Sequence, residues 1–193
     1  MKNLITISNL LTFLRILMIP LFIFFFIGTF KLGKFYSAIV FFIASITDML
    51  DGIVARQTKT ITEFGIFFDQ FADKLLVWTA LLLFLFLKEL NIKVIWVVVI
   101  ILRDVIMLLM RWFAKFKTGF SLKTSFYGKL KSAVQMTAIV LILVILAVRD
   151  VGLKYIENVL LWNLPSLLII LSAFLSIVSL VVYIYDNRAL FVK

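Results

Sequence analysis

The chain has 193 residues, 64% of them hydrophobic, a mean hydropathy of +1.18 and a formal net charge of +10. That apolar content excludes an ordinary soluble domain, which is about half apolar. The absence of cysteine and histidine removes disulfides, thiolate metal sites, thiol nucleophiles and the commonest general base.

Six hydrophobic segments follow in chain order, at about 9–30, 34–54, 64–87, 92–114, 126–148 and 160–185. Each can cross a hydrocarbon core of about 30 Å as a helix of roughly 20 residues, so an all-α, six-span polytopic membrane protein is predicted. The first segment is too long for a signal-peptide core and lacks a small-residue cleavage site, so it is read as retained. Short connections and the lack of repeats predict one integral-membrane domain over 1–193. Pro20 and Pro165 fall inside the first and sixth segments, where neighbouring helices can absorb kinks.

Basic residues crowd the loop between segments 4 and 5 (Arg111, Lys115, Lys117, Lys123, Lys129, Lys131), the loop between segments 2 and 3 (Arg56, Lys59) and the termini. By the positive-inside rule both termini and these two loops are cytoplasmic, in the cell (inner) membrane. The positive charge is thus mostly topological. No nucleic-acid partner is expected, and anionic lipid headgroups or phosphorylated substrates are the natural partners.

The carboxylates stand out against this apolar background. Asp48 and Asp51 lie three apart at the end of segment 2, and Asp69 and Asp73 four apart at the start of segment 3. Each pair shares a helix face. "TITE" (Thr60–Glu63) resembles a capping box, which predicts a short link and an antiparallel hairpin over about 44–76. Four converging carboxylates repel one another, and two divalent cations would neutralise them. All-oxygen ligands suit Mg²⁺ or Mn²⁺, and an ion pair of that kind serves phosphoryl chemistry. The plainer alternative is a set of interfacial aspartates paired with Arg56, Lys59 and Lys74.

Small residues accompany the carboxylates. Gly52, Ala55 and Gly65 lack bulk, so a nucleotide and its pyrophosphate could approach the backbone closely. Tight helix packing is the alternative reading. Arg56 offers a planar donor fork for phosphate oxygens, or else is one more cytoplasmic loop charge.

The full pattern is Asp48-x₂-Asp51-Gly52-x₂-Ala55-Arg56-x₈-Gly65-x₃-Asp69-x₃-Asp73, eight positions in 26 residues. It resembles the CDP-alcohol phosphatidyltransferase family at every position. The resemblance implies six transmembrane helices, a homodimer, and transfer of a phosphatidyl group from a CDP-linked lipid such as CDP-diacylglycerol to a small alcohol, with release of CMP. It also implies that Asp48, Asp51 and Asp69 are metal ligands, and that Asp73 is the general base and a further metal contact. Gly52, Ala55, Arg56 and Gly65 would hold the CDP portion.

Two further stretches, "ISNLLTFLRILMIP" (Ile7–Pro20) and "GKLKSAVQM" (Gly128–Met136), are similar to the phosphatidylglycerophosphate synthase branch, with Ser8 and Ser132 as mild departures. "SIVSLVVYIY" in the last segment is a looser match. This branch implies glycerol 3-phosphate as acceptor, and its phosphate needs cations. Arg103, Arg111, Lys129 and Lys131 are the candidates. Arg103 sits inside segment 4, where an unpaired cation is costly, so function is its default reading and a carboxylate on another helix the alternative. Asp104 points about 100° away around the helix and is not an obvious partner.

"RDV" (Arg103–Val105) resembles instead the cardiolipin synthases of the same family, which use phosphatidylglycerol as acceptor. Outside the family, a transporter would place its carboxylates nearer mid-membrane, often with repeats. A prenyltransferase would separate its two Asp-rich motifs widely in sequence.

Overall fold

A computed structural model describes the backbone of residues 7–58, 63–118, 126–152 and 163–187, and the side chains of 12–47, 71–113, 126–152 and 163–187. Among the described residues every long element is an α-helix: α1 (Ile7–Ile27), α2 (Gly33–Thr58), α3 (Glu63–Phe86), α4 (Val94–Thr118), α5 (Phe126–Asp150) and α6 (Leu164–Asp186). A single 3₁₀ turn, Lys88–Leu90, joins α3 to α4. The six helices fall on the six hydrophobic segments. α2 and α4 run several residues past the apolar stretches, because Ala, Arg, Gln and Lys there are compatible with helix although they end the hydropathy signal. Thr60 of the predicted capping box lies outside the described residues, and α3 begins at Glu63.

Burial in these helices is inverted relative to a soluble protein. α6 buries Ser172, Ala173, Ser176, Ser179 and Tyr183, while Leu171, Phe174, Val181 and Ile184 are exposed. α1 likewise buries Thr12 and Arg15 and exposes Phe13, Leu17 and Phe24. Small and polar residues inside with large apolar residues outside is the arrangement expected where the surrounding solvent is lipid. α5 and α6 are each long and apolar enough to cross a membrane. The protein is membrane-associated. Its helical hydroxyls are met locally: Ser172 donates to the Leu168 carbonyl at 2.9 Å and Ser176 to that of Ser172 at 2.8 Å, so they add no unmatched polar group.

The chain gathers into two compact units. The first comprises Met1–Leu83 with Val140–Asn158. Here α1 packs along α2 through Phe22, Phe26 and Phe41, with ring centroids 5.6–5.8 Å apart. The turn between them is tight. A Cβ on Gly33 would lie 2.8 Å from the Phe25 carbonyl oxygen and 3.2 Å from that of Gly28, so only glycine fits. The Asp150 carboxylate accepts the Lys34 backbone N–H at 2.7 Å, placing negative charge at the N-terminus of α2. The Lys34 ammonium donates to the Phe26 carbonyl and lies 3.9 Å from the Phe26 ring centroid. It therefore satisfies an orphan carbonyl at the end of α1. α5 stops at Gly152, whose φ of +95° is the left-handed conformation that closes helices.

The second unit comprises Phe84–Ile139 with Val159–Lys193, and in it α4 packs along α6. Pro165, predicted inside a helix, instead occupies the first turn of α6. No i−4 hydrogen bond is lost there, so it starts the helix rather than kinking it. Pro20 does lie within α1.

Candidate active site

Two sets of residues are candidates for the chemistry. The first lies on α2 and α3. Helical backbone is continuous through Asp48, Asp51, Gly52, Ala55 and Arg56 on α2, and through Gly65, Asp69 and Asp73 on α3. Each aspartate pair thus has the i,i+3 or i,i+4 spacing of one helix face. Four residues separate Thr58 from Glu63, which keeps the two helix ends within about 18 Å. Apart from Asp73, the side chains of this motif lie outside those described.

Asp73 is half-buried, with 26% of its side chain exposed, and its Oδ2 is 3.2 Å from the Lys74 ammonium. This is the pairing that the plainer reading anticipates for Lys74. An ion pair this exposed contributes at most about 1 kcal/mol. It leaves the carboxylate able to take on another partner. The donor set fits a divalent cation, since four carboxylates on neighbouring helical turns provide only hard oxygen ligands and the chain has no histidine or cysteine to compete.

The second set lies on α4, α5 and α6. Arg103 and Asp104 are 6% and 1% exposed, and Lys131 is fully buried. Asp104 Oδ1 accepts from Arg103 Nη1 at 3.0 Å and from Lys131 Nζ at 2.5 Å. Adjacent residues on a helix point about 100° apart, which made Asp104 a poor expected partner for Arg103. The structure corrects this: the long guanidinium arm reaches back to its neighbour, and both meet Lys131 from α5. On the other side Arg103 Nη2 donates to Ser179 Oγ of α6 at 2.5 Å.

Arg111 follows two turns along α4 and is half-buried. Its guanidinium is hydrogen-bonded to the hydroxyl of Tyr183, which also feels the charge of Arg103. Lys129 does not join this group. It is exposed and sits about 200° around α5 from Lys131. Among the described residues, Asp104 is the carboxylate that Arg103 and Lys131 share. Removing charge from water costs several kcal/mol per ion unless it is matched.

Sequence reasoning found the cations and missed Asp104 as their link, and Ser179 and Tyr183 as their neighbours. The available signal was the i,i+4 spacing of Ser179 and Tyr183 within "SIVSLVVYIY".

Described residues that are helical throughout, with a carboxylate motif on one helix pair and a buried cluster of cations on others, suit a membrane enzyme that handles phosphorylated lipid precursors. The match to known proteins is specific: a family model for CDP-alcohol phosphatidyltransferase covers residues 5–162, and the chain belongs to that family. Its enzymes are phosphatidyltransferases that generally depend on a divalent metal ion. The chain is 35% identical over 179 residues to a CDP-diacylglycerol–glycerol-3-phosphate 3-phosphatidyltransferase of Rickettsia typhi, covering 93% of each protein. Proteins of the same name from Wigglesworthia glossinidia brevipalpis and Salmonella typhimurium are 36% and 37% identical. These alignments cover 70% of this chain and 75% of the relative, and 69% and 74%, respectively.

Proposed function

We propose that the protein transfers the phosphatidyl group of CDP-diacylglycerol to glycerol 3-phosphate, forming phosphatidylglycerophosphate and CMP. The buried cations Arg103 and Lys131 around Asp104 support the choice of a phosphorylated acceptor, and the names of its relatives agree.

In this reading Asp48, Asp51, Asp69 and Asp73 hold two divalent ions, Mg²⁺ or Mn²⁺, which supply neutralisation of the donor pyrophosphate. Gly52, Ala55 and Gly65 give the CDP portion close approach to the backbone, and Arg56 pairs with its phosphate oxygens. Arg103, Arg111 and Lys131 hold the acceptor phosphate. Asp73 accepts the proton of the acceptor hydroxyl. The acceptor oxygen then bonds to the lipid-linked phosphorus as the bond from that phosphorus to the CMP oxygen breaks. The proton stays on Asp73 until solvent removes it, and CMP departs with the electron pair. The 193 residues act as one catalytic domain, six-pass, with both termini and the active site cytoplasmic, in a homodimer.

Purified protein is offered CDP-diacylglycerol with Mg²⁺ or Mn²⁺, and glycerol 3-phosphate or phosphatidylglycerol in separate tubes. CMP release with glycerol 3-phosphate alone is expected. Release with phosphatidylglycerol alone would overturn the acceptor assignment in favour of a cardiolipin synthase.

A further inference from the structure

We propose that Arg15 of α1 is a positioning residue for the carboxylate motif: its guanidinium holds one edge of the Asp48 carboxylate and so aims the other edge at a divalent ion. This rests on the reading of Asp48, Asp51, Asp69 and Asp73 as metal ligands, and adds α1 to their site.

Arg15 lies within α1 and is fully buried. A cation enclosed among apolar helices is costly unless polar or charged groups meet it, and such residues tend to serve function. The packing of α1 on α2 shows which residues share its level. A short turn joins the two helices, and the Lys34 ammonium at the start of α2 reaches the Phe26 carbonyl near the end of α1. They therefore run antiparallel. Phe22 meets Phe41 with ring centroids 5.6 Å apart, which fixes the register. Seven residues back along α1 is Arg15, and seven residues on along α2 is Asp48. Both steps advance about 10.5 Å in the same direction, so the two positions lie at one level.

They also lie on the facing sides. A seven-residue step turns a helix only about 20° from its starting direction. Arg15 thus stays on the α1 stripe of Phe22 and Phe26, and position 48 on the α2 stripe of Ser37, Phe41 and Ala44, all of them buried. A helical side chain leans toward the N-terminus of its own helix. Arg15 accordingly leans the way α2 runs, toward the motif. Position 51 is turned about 60° from position 48, and Asp69 and Asp73 belong to α3, which makes Asp48 the natural partner. A carboxylate has two oxygens and about four lone-pair sites. A guanidinium fork on one edge leaves the other for a metal ion, and outer partners of this kind hold a ligand in its binding orientation.

Mn²⁺ binding to the purified protein, without CDP-diacylglycerol, is measured by electron paramagnetic resonance in the wild type, Arg15→Met, Arg15→Lys and Asp48→Asn. The sign of the change discriminates. Loss of a nearby positive charge and nothing more tightens the binding of a cation, whereas loss of a positioning partner weakens it. About ten-fold weaker binding is expected in Arg15→Met, with Arg15→Lys between it and the wild type. Transfer lost in Arg15→Met returns as Mn²⁺ is raised by the same factor, and the KM for glycerol 3-phosphate at saturating Mn²⁺ holds. Unchanged or tighter Mn²⁺ binding in Arg15→Met overturns the proposal. A raised acceptor KM at saturating Mn²⁺ also overturns it, by making Arg15 an acceptor contact.

Asp48→Asn separates the proposal from the reading beneath it. Weakened Mn²⁺ binding in Asp48→Asn with wild-type binding in Arg15→Met removes Arg15 and leaves the metal site standing. Wild-type binding in Asp48→Asn overturns Asp48 as a ligand and the proposal with it. If Arg15→Met does not fold, the double variant Arg15→Met/Asp48→Asn decides. Removing both members of a buried pair together recovers stability, so without metal the double variant melts above Arg15→Met. A double variant no more stable than Arg15→Met overturns the contact.

Discussion

The carboxylates of α2 and α3 and the cations of α4 and α5 are both ionisable groups set into apolar helices, but their charge is met differently. Asp73 is partly open and paired with a half-buried lysine beside it. Lys131 and Arg103 are closed off and share a single buried carboxylate. One region leaves a carboxylate partly open to solvent. The other encloses its ion pairs where water cannot screen them. The contrast separates an acidic helix pair, proposed to hold metal ions, from a buried basic cluster, proposed to hold a phosphate.

The sharpest way to break the comparison is to neutralise its acidic half. Asp73→Asn should fold and still bind CDP-diacylglycerol but lose transfer by about 10²–10⁴-fold, the usual contribution of a general base. Single-turnover CMP release measures this, and wild-type turnover would remove Asp73 from the role. Chelation with EDTA should abolish activity in the unmodified protein, with Mg²⁺ or Mn²⁺ restoring it; activity that persists through chelation would argue against the metal reading.

The basic half is tested by Lys131→Ala, which removes one of the two cations paired with the buried Asp104. Breaking a buried pair this way should cost about 3 kcal/mol of stability and raise the acceptor KM. Combining Lys131→Met with Asp104→Leu should recover much of the stability but not the acceptor KM. Recovery of both would mean that the cluster is structural only.

Smaller effects calibrate the scaffold. Gly33→Ala forces a methyl group against the Phe25 carbonyl and should destabilise by about 1–3 kcal/mol, read as a lower thermal midpoint with unchanged substrate KM values. Lys74→Met removes the half-buried partner of Asp73 and should shift stability by less than about 1 kcal/mol. A large loss of transfer in that variant would draw Lys74 into the active site and narrow the difference between the two regions.

Much of this was legible in the linear chain. Apolar runs of about 20 residues located all six helices, because the length of a span is set by the lipid and hydropathy reports it directly. The eight-position motif was equally legible, since its chemistry depends on spacing along two helices joined by a short link. Helix ends were less so, as at Thr58 and Thr118, where helix-compatible polar residues continue the backbone beyond the apolar signal. Pro165 misled for a related reason: proline's effect depends on whether it falls in the first turn or the interior, and hydropathy does not mark the first turn.

The sequence by itself determined the class of protein, its family and the carboxylate motif, all of which follow from local composition and fixed spacing. The tertiary structure decided which charges meet. Arg103, Asp104, Lys131, Ser179 and Tyr183 come from three helices separated by up to 80 positions, and no periodicity links them. Side-chain reach and helix packing bring Asp104 between two cations and set Ser179 against one of them. Those are properties of the packed helices, because a hydrogen bond across 76 residues has no trace in the order of the chain.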